Sequence, residues 1–209
     1  MGASGVTGVI LAGGKSKRLG RDKALLPWPR ESSETTLLTH VHTVLETVCD
    51  DVIVVGNRAD LTSFTVVPDV SAVGSSLTGL VSGLQAARTP LVLAVACDMP
   101  FLNGRLLRAL IGRASDEWDA VAPGIRDEPE TLHTVYHRRC LTPAMQMLQA
   151  GDLKLARLLE RLHVRRVSPN VVRTFDPDLA SFSNINTPQE LAQARALAHS
   201  RALEAGEAG

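Results

Sequence analysis

The run from Pro90 to Ala96, PLVLAVA, is the most apolar segment of this chain, and it ends abruptly at Cys97-Asp98-Met99-Pro100. A strand with no polar alternation has to be covered on both faces, which restricts the chain to sheets flanked by helices on each side. Val52-Ile53-Val54-Val55, closed by Gly56-Asn57, is a second run of this kind. Val9-Ile10-Leu11 reads as the end of a third, and Thr65 to Asp69 repeats the pattern more weakly. Helical stripes separate them. Leu37, Leu38, Val41, Val44, Leu45 and Val48 recur at three- and four-residue spacing, as do Leu77, Leu80, Val81, Leu84 and Ala87. Strand alternating with helix implies a mostly parallel sheet in a three-layer α/β/α arrangement, with Pro90 to Ala96 as its central strand.

Beyond Asp98 the pattern is more mixed. A helix is expected from about Asn103, with Leu106, Leu107, Leu110 and Ile111 inward. Short strands follow near Ala120 to Ala122 and Leu132 to Tyr136, then helices over Thr142 to Gln149 and Leu153 to Leu162, then a strand at Val164 to Val167. Arg30 to Thr36 is polar and reads as a flexible excursion. The length suits one domain over residues 1–198, and residues 199–209 drift into Ala, Glu and Gly and read as a frayed tail. Lysine plus arginine balances aspartate plus glutamate at 22 each, so no global field draws nucleic acid or an anionic membrane. Cys49, Cys97 and Cys140 are widely spaced with no CxxC, and are expected as reduced, mostly buried thiols of a cytoplasmic protein. Neither a membrane span nor a signal peptide is expected.

Chemistry concentrates after the first strand. The sequence Val9 to Lys23, VILAGGKSKRLGRDK, passes from apolar residues into Gly13-Gly14 and then into a polar loop. Paired glycines allow a backbone to approach a ligand closely. Lys15, Lys17, Arg18, Arg21 and Lys23 stand against the single anion Asp22. Close backbone amides with several cations suit a nucleoside triphosphate. The loop is not a Walker loop, because five residues rather than four separate Gly8 from Gly14-Lys15-Ser16. It is not a dinucleotide fingerprint either, since no G-x-G-x-x-G opens a helix.

Asp98 is the strongest single candidate. Ligands of open parallel sheets bind outside the carboxyl ends of the strands, and this carboxylate stands at that end of the most hydrophobic one. A lone carboxylate suits Mg²⁺, which takes one or two protein oxygens and completes its octahedron with water and phosphate. Asp98 could instead cap the next helix, although Asn103 is better placed to do so. Near the end, Ser183-Asn184-Ile185-Asn186-Thr187-Pro188-Gln189-Glu190-Leu191 combines a Thr187/Glu190 capping box with proline at the first helical position. Asn184 and Asn186, two apart, project from one side of an extended segment. They serve equally well as turn formers.

These blocks strongly resemble the nucleotidyltransferases that attach guanosine monophosphate to molybdopterin. Leu11, Ala12, Gly13, Gly14, Ser16, Arg18, Gly20, Asp22 and Lys23 match the signature L-A-G-G-x-S-x-R-x-G-x-D-K. Cys97 to Leu102 matches C-D-x-P-x-L, and Asn184 to Leu191 matches N-x-N-T-P-x-E-L. The resemblance implies a Rossmann-like nucleotidyltransferase fold and transfer of GMP from GTP to molybdopterin with release of pyrophosphate. Its implied roles are Mg²⁺ on Asp98 and catalysis by Lys23, Arg18 and Asp98. Nucleotide contacts are implied for Leu11, Ala12, Gly13, Gly14, Lys15, Lys23, Asn57, Asp69 and Asp98, and a lining role at the acceptor for Asn184 and Asn186. Implied partners are proteins of molybdenum-cofactor biosynthesis and the molybdoenzymes that receive the product. The chain departs from the family at Ser75-Ser76-Leu77-Thr78-Gly79, which lacks the proline of G-P-L-A-G, and in Glu130 to Tyr136, which also lacks a proline. Three rivals stay open: a CTP-dependent cytidylyltransferase acting on molybdopterin, a nucleotidyltransferase with another phosphate acceptor, and a non-catalytic nucleotide-binding accessory protein.

Overall fold

The computed structural model describes residues 5–13, 18–125 and 129–207. Its centre is a seven-stranded sheet of order β3-β2-β1-β4-β6-β5-β7. The strands are β1 (Val6–Leu11), β2 (Asp51–Val55), β3 (Val66–Val67), β4 (Leu91–Ala96), β5 (Ala120–Pro123), β6 (Thr134–His137) and β7 (Val164–Val167). Every neighbouring pair is parallel except those made by β6, which runs against β4 and β5. The strand read as central pairs with β1 on one side and β6 on the other, and Leu91 to Val95 are all buried.

Helices α1 (Leu37–Glu46), α2 (Ser76–Ala86), α3 (Gly104–Ile111), α4 (Leu141–Gln149), α5 (Leu155–Glu160), α6 (Pro169–Phe175) and α7 (Pro188–Glu207) complete the fold. Alternation along the strands sorts the core into two layers. Ile10, Val54, Leu93 and Val95 pack with Leu38, Val41 and Leu45 of α1, Leu106 and Leu107 of α3, and Val172 of α6. Val9, Ile53, Val92 and Ala94 pack on the other face with Leu80 and Leu84 of α2, Met147 of α4 and Leu158 of α5. Helix α2 is buried from Leu77 to Leu84 and sits very close to the sheet. A Cβ on Gly83 would stand 2.6 Å from Val9, and one on Gly79 would stand 2.9 Å from Leu11. Only glycine allows that approach.

Two expectations need correction. Arg30 to Thr36 is pinned rather than loose: Trp28 N–H donates to Thr35 O, Arg30 N–H to Ser33 Oγ, and Leu37 N–H to Leu26 O. Residues 199–207 continue α7 instead of fraying, because alanine, leucine, arginine and glutamate there are good helix formers. The Arg201 guanidinium also lies 5.2 Å from the centre of the Phe101 ring. Helix α6 adds to the expected order; its Pro169 sits in the first turn, where a missing N–H does no harm.

Candidate active site

The carboxyl ends of β3, β2, β1 and β4 open onto one cavity of about 210 Å³. Strand order reverses between β1 and β4, and this is the switch point where open α/β sheets bind ligands. Leu11, Ala12 and Gly13 leave β1 at its rim, with Ala12 N–H donating to Val55 O and Cys97 N–H to Leu11 O. Gly13 packs tightly on Asp69: a Cβ there would stand 3.0 Å from Asp69 Oδ2. Gly56 is equally close, since its Cβ would reach within 3.2 Å of Gly13 N. Gly14 and Lys15 lie outside the described residues.

At one end of the cavity, Lys23 joins two distant segments. Its Nζ donates to Asp98 Oδ2 at 2.7 Å and to Asn186 Oδ1 at 2.7 Å. Lys23 and Asp98 are each 16% exposed, enough shelter to strengthen the pair while leaving both open to a ligand. Asp98 caps no helix. Asn103 does so, accepting from Arg105 N–H and Leu106 N–H. The backbone of Asp98 fixes the last motif, because Ile185 N–H donates to Asp98 O. The capping box forms as read: Glu190 Oε2 accepts from Thr187 N–H and Asn186 N–H, and Thr187 Oγ1 accepts from Glu190 N–H. Those backbone bonds, first the one from Asn186, hold the Glu190 carboxyl below its ordinary range, and the charge of Arg18 assists.

The two asparagines are separated. Asn186 reaches Lys23, whereas Asn184 is exposed and lines a neighbouring hollow of about 320 Å³ with Phe101, Glu190 and Gln193. Arg18 is exposed and does not line the main cavity. Asn57 is exposed too, and acts on its neighbour: its Oδ1 accepts from Asp69 N–H at 3.2 Å. Asp69 lines the cavity, and partial burial raises its carboxyl above the usual value. Ser75 caps α2 by accepting from Thr78 N–H, and Thr78 Oγ1 donates to Val73 O, so Ser76 is the more available hydroxyl at the cavity. Complete burial pushes the Cys97 thiol up to about 12, which keeps it neutral.

Asp22, Gly79 and Leu132 also line this cavity without having been singled out as site residues. Asp22 stood in the recognised loop, and its isolation among cations was the available signal. Leu132 gave none, since it reaches the cavity only because β6 runs backwards.

A cavity at the switch point, with close-packed glycines at one side and a lysine–aspartate–asparagine cluster at the other, belongs to the nucleotidyltransferase class of α/β folds. Residues 8–167 match the family of the MobA-like NTP transferase domain, and the chain belongs to that family. It is 37% identical to a protein of Desulfosudis oleivorans named molybdenum cofactor guanylyltransferase, over 91% of this chain and 95% of the relative. A crystal structure of molybdopterin-guanine dinucleotide biosynthesis protein A from Archaeoglobus fulgidus superposes with a TM-score of 0.80 at 25% identity, covering 93% of this chain and 99% of that one. The Thermus thermophilus 2-C-methyl-D-erythritol 4-phosphate cytidylyltransferase shares the fold, with a TM-score of 0.67 at 20% identity over 95% of this chain and all of that one.

Proposed function

We propose that this chain transfers GMP from GTP to the terminal phosphate of molybdopterin, forming the guanine dinucleotide cofactor and releasing pyrophosphate. The observation that carries the reading is Lys23 Nζ at 2.7 Å from both Asp98 and Asn186, at the carboxyl edge of the sheet. The names of the relatives supply the acceptor and the nucleotide.

In the reaction an acceptor phosphate oxygen attacks the α-phosphorus of GTP, a new P–O bond forms, and the bond from the α-phosphorus to the α–β bridging oxygen breaks. The attacking oxygen is already ionised at neutral pH, so no general base is required. The protein supplies alignment and charge cancellation. The Leu11 to Gly14 backbone and the Asp69 carboxylate are assigned to the nucleotide, with Asn57 holding Asp69. We assign Lys23 to the transferring phosphate, and Arg18 and Lys15 to the outer phosphates. Asn186, on Lys23, and Asn184, on the adjoining hollow, are assigned to the acceptor side.

The residues fit Mg²⁺. Asp98 Oδ1 accepts no hydrogen bond from any described residue, and no cage of three or more His, Cys, Asp or Glu is gathered among them. Such a site suits an ion that arrives with the polyphosphate. Asp98 would hold Mg²⁺, whose positive charge would offset that of the polyphosphate. The protein works in the cytoplasm, where its three free cysteines stay reduced, between the enzymes that make molybdopterin and the molybdoenzymes that use the product. No helix among the described residues is long and apolar enough to cross a membrane.

Incubation with molybdopterin, Mg²⁺ and each of GTP, CTP and ATP, with products identified by mass, tests this. The guanine dinucleotide should form at least roughly tenfold faster than the others, the discrimination that one unpaired polar group gives. A cytosine product would move the function to the cytidylyltransferase rival, and binding without any product would move it to the accessory protein.

A further inference from the structure

Arg58 lies in the loop after β2 and is only 15% exposed although it is a charged side chain on a surface turn. Its guanidinium is gripped along two edges. Nε and Nη2 donate to Asp60 Oδ1 and Oδ2 at 2.8 and 2.6 Å. Nη1 and Nη2 face Asp22 Oδ1 and Oδ2 at 3.2 and 2.8 Å. Asp60 thereby orients the guanidinium so that its far edge meets Asp22. Two bidentate pairs on one arginine fix direction as well as charge, which a lysine cannot do.

Asp22 is the residue before Lys23. Its Oδ1 also accepts from Ala24 N–H, so the backbone on both sides of Lys23 is tied to one carboxylate. Lys23 itself is held at its side chain by Asp98 and Asn186 and at its carbonyl by Leu26 N–H. Among the described residues, no N–H group of Arg18 to Lys23 donates to a backbone carbonyl. The rest, Arg18 to Asp22, is anchored by side chains: Leu19 buried against Leu26, Trp28 and Ile185, the Arg21–Glu31 pair, and Asp22 on Arg58. The loop that carries Arg58 also carries Gly56, packed on Gly13, and Asn57, which holds Asp69. One short turn after β2 therefore touches the cavity's rim in three places.

We infer that Arg58 is a positioning residue, which holds Asp22 and through it sets Lys23 against Asp98 and Asn186. Arg58 touches no reacting atom in this arrangement, because both faces of its fork are filled by carboxylates. The inference rests on the reading that Lys23 acts in nucleotidyl transfer. A misplacement of about 1 Å at such a group is enough to cost up to about 10²-fold in rate.

The test compares Arg58→Met, Arg58→Lys, Asp22→Asn and the double variant Asp22→Asn/Arg58→Met with Lys23→Ala and wild type, measuring kcat, GTP affinity and thermal unfolding. Arg58→Met should lower kcat by roughly tenfold or more while changing GTP affinity by less than about threefold. Asp22→Asn should do the same, and the double variant should be no slower than the slower single variant, as expected of two residues acting through one contact. Arg58→Lys keeps the charge but not the fork, and should melt near wild type yet remain slow. It keeps the test decisive if Arg58→Met fails to fold. Wild-type kcat in Arg58→Lys, multiplicative losses in the double variant, or loss of GTP affinity in step with rate would each overturn the inference, the last by making Arg58 a direct phosphate contact. If Lys23→Ala keeps the wild-type rate, the functional reading itself fails, whatever the Arg58 variants do.

Discussion

The two sides of the sheet are built differently. On one side, β3-β2-β1-β4 are parallel, their strand ends all deliver loops to the cavity, and α2 packs so tightly that Gly79 and Gly83 tolerate no Cβ. On the other, β6 runs backwards between β4 and β5, so its beginning rather than its end meets the carboxyl edge. There Thr134 is opposite Ala94, and Leu132, just before it, lines the cavity. Parallel strands place functional residues by rule, at strand ends. A reversed strand places them where chain direction gives no hint.

The comparison breaks most sharply at Asp98, the end of the last strand of the parallel side. Asp98→Ala should lower turnover by at least about 10²-fold, the scale of losing one electrostatic contact to a developing charge. Its melting temperature should stay near wild type, because the side chain's only described partner is Lys23. A variant that kept the wild-type rate at saturating Mg²⁺ would remove Asp98 from the chemistry.

The reversed side is expected to carry the acid sensitivity. His133, just before β6, is fully buried with φ +70, stands against Phe182, and neither ring nitrogen has a partner among the described residues. Burial pushes it down to about 4, against a smaller opposing pull from Asp176. The unfolded chain takes up this proton near pH 6.5 and the folded chain does not until about 4, so stability falls as pH drops through that window, by roughly 3 kcal/mol in all. Urea unfolding measured from pH 6.5 to 5, above most carboxylate titration, should show the decline. His133→Asn, which tolerates positive φ, should flatten it. An unchanged slope in that variant would place the acid sensitivity elsewhere.

On the parallel side the packing can be sharpened with one methyl group. Gly83→Ala puts a Cβ 2.6 Å from Val9 and should destabilise by about 1–3 kcal/mol, because helix and strand have no room to part. A neutral or stabilising result in chemical denaturation would mean that α2 is free to shift.

The same contrast explains what could be read from the sequence. Strands β2 and β4, the α1 and α2 stripes, the Asn103 cap and the Thr187/Glu190 box are local patterns, and each sits where its residues predict. The place of Asp98 at the cavity was legible because it follows the most apolar run. The Asp22–Arg58 pair was not, since its partners are 36 positions apart and each alone is an ordinary turn residue. His133 and Leu132 were hidden by the reversal of β6, and the two asparagines were read as one unit although only Asn186 meets Lys23. Such pairings come from tertiary packing, which periodicity does not encode.

On the proposed function, the cluster that ends the parallel side acts on the transferring phosphate, with Lys23 at its middle. The most direct measurement is the single-turnover rate of guanylyl transfer and the GTP dissociation constant for Lys23→Ala beside wild type. A charge aimed at the transition state predicts a rate loss of about 10²-fold with affinity changed by less than about threefold. Equal losses in affinity and in kcat/KM, with kcat unchanged, would contradict it and reduce Lys23 to an anchor for the ground-state phosphates.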